Sequence, residues 1–348
     1  MLISGFTMAR NAGKLHYPIR ESILSALPIV DEFIVALGDC DEDDNTLEIL
    51  LSIGDPKIKI YQRQWDEKLF FGGKIFAHET SFALGQCHGD WCLYLQADEV
   101  LHQEEIATIK SHCMAYRENF AVDGFLMPYV HFWGDYRHRI NVHHICRKEI
   151  RLVRNRIGCY SYVDAVSFRK MDNQKLNIVD LPVHIYHYGY VRHPKVMGLK
   201  REIQKEFHWG FDETQKSEVP DFDYGPLGGL PIFKGTHPTV MQDWIGKFDW
   251  GNQLNHKTWK PWNGVLHPQH KLRYRILTWI ENNLLNGRTL FGFRNYFRLS
   301  RRQILAGWDD NNIRSPFSET EKDRSRISSP VVLSEKGLPK TSRDHSLY

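Results

Sequence analysis

The 348 residues, 42% of them hydrophobic, suffice for one large catalytic domain with an appendage or for two domains, with ample material for a packed core. A formal net charge of +3 excludes wholesale nucleic-acid binding, so any electrostatic specialisation is local. No stretch approaches the roughly 20 apolar residues of a membrane-spanning helix, and MLISGFTMARNAGK lacks the segments of a secretory leader; the expectation is a chain that is not a secreted precursor. The cysteines (Cys40, Cys87, Cys92, Cys113, Cys146, Cys159) form no CxxC pair, which points to reduced thiols in a cytosolic compartment. His143, His144 and Cys146 have no partner cluster at metal spacing and read as ordinary structural residues.

In chain order, LISGFT (2–7) reads as a strand, YPIRESILSAL (17–27) as a helix with Pro18 in its first turn, and EFIVAL (32–37) as a second strand. The acidic loop GDCDEDDN (38–45) precedes a helix over 46–53, for which Asp44 or Asn45 is a suitable N-cap, and KIKIYQ (57–62) follows as a third strand. After Gly72 and Gly73, residues 74–87 carry apolar groups at helical spacing, and WCLYLQ (91–96) is a near-continuous apolar strand of the buried parallel kind. This βαβαβαβ order predicts an α/β fold of three layers with a mostly parallel central sheet. Beyond residue 120 the pattern is β-rich at 124–133, 149–154, 162–169 and 177–188, then helical over 195–209 and irregular over 210–264. From about residue 309 the composition predicts a poorly ordered polar tail.

In open sheets of this type ligands bind outside the carboxyl ends of the strands, here Thr7 to Asn11, Gly38 to Asp44 and Gln96 to Glu99. Asp98 and Glu99 can hold a hard divalent cation, Mn2+ or Mg2+, that would bind a diphosphate; they can equally cap a helix starting near His102. Thr7, Arg10, Asn11 and Lys14 form a group of donors suited to a base, ribose or phosphate, and Asp39, Asp41, Asp43 and Asp44 a dense set of acceptors.

The succession ISGFTMARNAGKLHYPIRESILSAL, DEFIVALGD, the helix before GDW, and CLYLQADEV resembles glycosyltransferase family 2 enzymes of GT-A fold. The resemblance covers roughly residues 1–190. It implies a nucleotide-sugar-binding catalytic domain over 1–190, a helical accessory region over 191–308 completing the acceptor side, and the tail over 309–348. It further implies that Thr7, Arg10 and Asn11 line the nucleotide pocket, that Asp39 meets the base and that Lys74 lies near the phosphates. Where the family carries an Asp-x-Asp triplet this chain has Gln96-Ala97-Asp98, so Gln96 joins the donor side and Asp98 is the metal-ligating member. A carboxylate follows an RLFR-type strand in related sequences, which places the general base at Asp164, with Glu99 as the alternative. His187, in HIYHYGYVRHP, matches a family histidine and completes the metal set with Asp98.

The expected activity is transfer of a sugar from a UDP- or GDP-sugar to a glycan or lipid-linked acceptor, inverting and metal-dependent, in surface polysaccharide synthesis. Two other readings stand beside it: a non-catalytic nucleotide-sugar or glycan-binding protein, and a sugar-1-phosphate nucleotidyltransferase. The segment 271–302 sets eight basic residues and several aromatics against the single acid Glu281. It suits peripheral contact with an anionic bilayer and placement at the inner face of the membrane, or packing as a helix pair with its arginines in solvent.

Overall fold

The computed structural model describes residues 1–143, 145–209, 219–257, 267–285, 289–290 and 294–309. Its first half is β1 (Ile3–Ala9), α1 (Ile19–Ala26), β2 (Glu32–Leu37), α2 (Thr46–Leu51), β3 (Ile58–Gln62), α3 (Lys74–Gly85) and β4 (Trp91–Tyr94), the expected alternation. Asp44 stops the acidic loop at α2 by accepting from the Thr46 amide at 2.8 Å. There follow β5 (Glu99–Leu101), α4 (Ile106–Ala115), β6 (Gly124–Trp133), β7 (Asp135–Ile140), β8 (Lys148–Arg154), β9 (Cys159–Tyr162), β10 (Ser167–Lys170), β11 (Gln174–Asp180), β12 (Ile185–Tyr190), α5 (Pro194–Trp209), α6 (Gln242–Gly246), α7 (Leu272–Asn283), β13 (Tyr296–Arg298) and α8 (Arg301–Asp309).

The central strands lie in the order β3-β2-β1-β4-β8-β6-β11, and β8 alone runs against the other six. Their apolar runs are continuous because both faces are covered. Phe33, Val35 and Leu37 of β2 and Trp91 and Leu93 of β4 pack on one side with Ile19, Ile23 and Ala26 of α1 and Ile109 and Cys113 of α4. Phe6, Ile34, Ala36, Cys92 and Tyr94 point the other way, toward Ala83 and Leu84 of α3 and Phe168 of β10. The period-2 alternation of strand side chains thus builds the three α/β/α layers.

β6 belongs to two sheets, because Gly124–Pro128 pair with β8 whereas Tyr129–Trp133 pair with β12. β12 lies between β6 and β5, and its outer face buries Tyr186 and Tyr188 beneath Tyr224, Leu227 and Met241.

Three expectations are corrected. The single strand over 162–169 is a hairpin, β9 and β10, whose turn contains Val163-Asp164-Ala165. The strand over 177–188 breaks at 181–184, where Pro182 has no amide to give to a ladder. The basic segment 271–302 is not a helix pair. It holds α7 and then β13, which pairs with β11 in parallel, and its one acid, Glu281, is fully buried. Glu281 accepts from His143 Nδ1 at 2.6 Å, Arg147 at 2.7 Å and the Leu290 amide at 2.7 Å, which pins α7 to the β7–β8 connection. His144 and the tail over 310–348 lie outside the described residues.

Candidate functional site

The carboxyl ends of β1 and β2 stand together. Arg10 donates from Nε to the Asp39 carbonyl at 2.8 Å, and the Asp41 amide donates to Asn11 Oδ1 at 2.8 Å. Lys14 Nζ reaches Asp41 at 2.9 Å and Asp43 at 2.7 Å. Asn11 adopts φ 54°, a left-handed conformation that asparagine tolerates, and this turns the chain across the end of the sheet. Asp39 accepts from Gln64 Nε2 at 2.8 Å and the Trp65 amide at 3.1 Å, while Trp65 roofs the corner with Phe70, Ile75 and Phe207. Thr7 is buried and leans its hydroxyl on the Met8 carbonyl at 3.3 Å. Lys74 is exposed at the start of α3, directly after Gly73.

At the end of β4, Asp98 is buried and the centre of a polar cluster. Its Oδ1 faces His187 Nε2 at 3.8 Å, while Oδ2 faces Lys200 at 3.4 Å and Arg192 at 3.5 Å. Desolvation opposes its charge, but Lys200, His187 and Arg192 outweigh that and hold the carboxyl far below the ordinary carboxylate range. Burial also drives His187 down to about 3 and, aided by Arg192, Lys200 down to about 7. Gly189 is required beside them, since a Cβ there would stand 2.5 Å from His187 Nε2 and 3.0 Å from Asp98 Oδ2.

A carboxylate oxygen and an imidazole nitrogen are donor types that a divalent cation accepts. Two ligand atoms on an ion at roughly 2.1 Å stand about 3–4 Å apart, the spacing of a carboxylate oxygen and an imidazole nitrogen here. Lys200 and Arg192 engage the other oxygen, as partners that orient a ligating carboxylate do.

Glu99 is placed otherwise. It is fully buried, receives Arg151 Nε and Nη2 at 2.9 Å each and the Tyr129 hydroxyl at 2.6 Å, and accepts the Gln96 amide at 3.1 Å. With both oxygens committed it has no lone pair directed at a substrate, so neither base nor ligand is assigned to it. Nor do Asp98 and Glu99 cap a helix: Glu99 opens β5 and α4 begins only at Ile106. Gln96 is half-buried, and its carbonyl accepts from Ser22 at 3.0 Å.

Asp164 occupies the β9–β10 turn, flanked by Val163 at φ 58° and Ala165 at φ 63°. The turn abuts Gly73 and α5: a Cβ on Gly73 would lie 2.9 Å from Asp164 Cβ and 3.0 Å from the His208 ring. Close by, Glu149 of β8 is buried, and its Oε2 has no hydrogen-bond partner among the described residues. Burial pushes its carboxyl up to about 7, with Arg151 and Cys146 opposing and the Glu99 and Asp164 carboxylates adding. A carboxyl raised from 4.5 to about 7 on folding holds its proton longer in the folded state, so stability is greatest below 4.5 and falls as pH rises through 7. Glu149→Gln therefore raises the melting temperature at pH 8 by on the order of 5–10 °C and leaves it nearly unchanged at pH 4.5. Equal shifts at both pH values would contradict this.

A second group, Asp135, His138 and His256, has ligand atoms within 4.8 Å of one another. Its carboxylate is already engaged, with Oδ1 accepting the Arg137 and His138 amides at 2.8 and 2.7 Å and Oδ2 meeting His138 Nδ1 at 2.8 Å. It serves as the acceptor of a turn.

Sequence reading missed Arg151, Arg192, Lys200 and His131. A charged residue inside the apolar run EIRLVR was a signal for Arg151, since a buried guanidinium requires an acceptor. The others act across long sequence separations that leave no local pattern.

No family model and no curated protein sequence matches the chain. Among solved structures it is similar to TarS of S. aureus, at 17% identity over 62% of this chain and 41% of that one, with a TM-score of 0.36. It is also similar to glucosyl-3-phosphoglycerate synthase of Mycobacterium tuberculosis solved with Mn2+, UDP and phosphoglyceric acid (15% identity, 37% and 43% of the chains, TM-score 0.26). A third is mannosyl-3-phosphoglycerate synthase of Rubrobacter xylanophilus (19%, 38% and 41%, 0.26). The chain spans about two fifths of the length of these three structures.

Proposed function

We propose that this protein is a glycosyltransferase that moves a sugar from a nucleoside-diphosphate sugar, UDP- or GDP-linked, to a hydroxyl of a glycan or lipid-linked acceptor in surface polysaccharide synthesis. The observation that carries the reading is the gathering of the Thr7–Asn11 loop, the Asp39 loop and Asp98 with His187 at one end of the same parallel strands, where ligands of such sheets bind.

In this reading Thr7, Arg10, Asn11 and Asp39 receive the nucleoside, and Lys74 and Gln96 stand on the diphosphate side. Asp98 and His187 would hold Mn2+ or Mg2+. Such an ion supplies neutralisation of the charge on the departing diphosphate. Asp164 takes the acceptor proton as the acceptor oxygen bonds to the anomeric carbon from the face opposite the breaking C–O bond, so the configuration inverts.

Mn2+ and UDP are the first probes, being those in the M. tuberculosis synthase complex. Wild-type protein shows a thermal shift with UDP or GDP that requires Mn2+, and Asp98→Ala abolishes it. Nucleotide binding unchanged by that substitution would rule out the metal assignment.

Among the described residues no helix is long and apolar enough to cross a membrane. We place the protein in the cytoplasm, at the inner membrane face, because α7 turns Leu272 (64% exposed), Ile276 (50%) and Trp279 (58%) outward beside Arg273 and Arg275. Wild type co-floats with anionic vesicles at low salt and not with phosphatidylcholine vesicles, and Trp279→Ser weakens the association. Equal recovery with both vesicle types, or none, would exclude this surface.

A further inference from the structure

His187 sits on β12 between two strands, in register with His131 on β6 and with Glu99 on β5. The two imidazoles meet through their Nδ1 atoms at 2.9 Å, and one of the two must donate. His131 settles which. Its Nε2 lies 2.7 Å from the Cys146 carbonyl, an oxygen that can only accept, so the His131 proton is on Nε2. In a neutral ring Nδ1 is then a lone pair, and the hydrogen between the imidazoles belongs to His187 Nδ1. The second nitrogen of His187, Nε2, is left as a lone pair facing the Asp98 carboxylate at 3.8 Å. In this tautomer both atoms are electron-pair donors with no proton between them, an arrangement that a cation between them would stabilise.

We infer that His131 is the positioning residue of the cation site: by accepting from Nδ1 it locks His187 in the tautomer that presents Nε2 beside Asp98. The inference rests on the reading of Asp98 and His187 as ligands of a divalent cation. A ligating histidine is ordinarily fixed through its other ring nitrogen by a carboxylate, carbonyl or water. Here another histidine does so, itself fixed by a backbone carbonyl. The chain Cys146 carbonyl, His131, His187, Asp98 spans the β7–β8 connection, β6, β12 and the end of β4, so the sheet register itself sets the ring orientation.

The test compares wild type with His131→Phe, which removes the acceptor, and His131→Gln, whose amide can both accept from His187 and donate to the Cys146 carbonyl. In metal-free protein with 15N-labelled histidine, the wild-type His187 shows a protonated Nδ1 and a bare Nε2. His131→Phe shifts His187 toward the Nε2-protonated form, and His131→Gln restores the wild-type pattern. Mn2+ affinity, read by electron paramagnetic resonance without substrate, falls about 10–100-fold in His131→Phe and recovers in His131→Gln. A wild-type His187 protonated on Nε2, or a His131→Phe variant that binds Mn2+ as wild type does, would overturn the inference. A wild type with the stated tautomer that binds no Mn2+ overturns the cation reading of Asp98 and His187 and leaves His131 as the residue that sets the ring.

Discussion

Asp164→Asn lowers turnover by about 10²–10⁴-fold and leaves donor binding intact, the range associated with losing a positioned general base. Val163 and Ala165, on either side of Asp164, both adopt the left-handed conformation, at φ 58° and 63°. For non-glycine residues each such conformation costs on the order of 1–3 kcal/mol, and for β-branched valine it is a genuine outlier. The strain persists because the surroundings over-determine it: Ala165 is fully buried and β9 pairs with β10 from Ser167 to Lys170. An ordinary solvated turn relaxes to an unstrained type. This one holds Asp164 against Gly73, whose own φ of 67° and missing side chain make the approach possible. Asparagine has the same shape, so the turn survives and only the proton acceptor is lost. Full activity in the variant would remove Asp164 from the reaction.

The second large effect is on stability. Arg151→Met lowers unfolding free energy by about 3–5 kcal/mol, because it leaves Glu99 charged and fully buried with its bidentate partner gone. At 2–4 °C per kcal/mol this is a fall of roughly 10 °C in melting temperature. Arg151 also donates to the Ile150 and Val166 carbonyls, and its guanidinium lies 5.0 Å from the Tyr94 ring centre. Val166 is in the turn that carries Asp164, so the ion pair also anchors that turn to β8. Adding Glu99→Gln to Arg151→Met recovers more than half of the loss, since the unpaired charge is then removed. A single-variant cost below 1 kcal/mol would show that Glu99 is not held as described and would reopen its candidacy for chemistry.

β1 to β4 and their helices were legible because strands covered on both faces must be apolar throughout, and the connecting helices carry their own 3.6-residue period. The β9–β10 turn was not, because its one turn-favouring residue, Asp164, stands between the apolar Val163 and Ala165 with no glycine, proline or asparagine beside it. β5 is three residues long, too short to carry a period. β13 lies within a stretch whose basic and aromatic residues obscured its place beside β11.

The site divides in the same way. Thr7, Arg10, Asn11 and Asp39 sit where loop position at the end of parallel strands put them, and Asp98 meets His187 across 89 residues of sequence. Glu99 was indistinguishable from Asp98 as a sequence feature. Glu99 opens β5 and reaches Arg151, whereas Asp98 lies in the turn just before that strand and faces His187. Lys200, on α5, is brought to Asp98 only by packing of that helix, which no local pattern announces.

The proposed activity is cleavage of a nucleoside-diphosphate sugar with the aid of a divalent cation. The most direct measurement is release of nucleoside diphosphate by purified protein from UDP-, GDP- and dTDP-sugars, and of CMP from CMP-sugars, with Mn2+ and with chelator. Slow release from at least one UDP- or GDP-sugar is expected with Mn2+, lost with chelator and in Asp98→Ala. Absence of release from every donor, together with no Mn2+-dependent thermal shift, would contradict it.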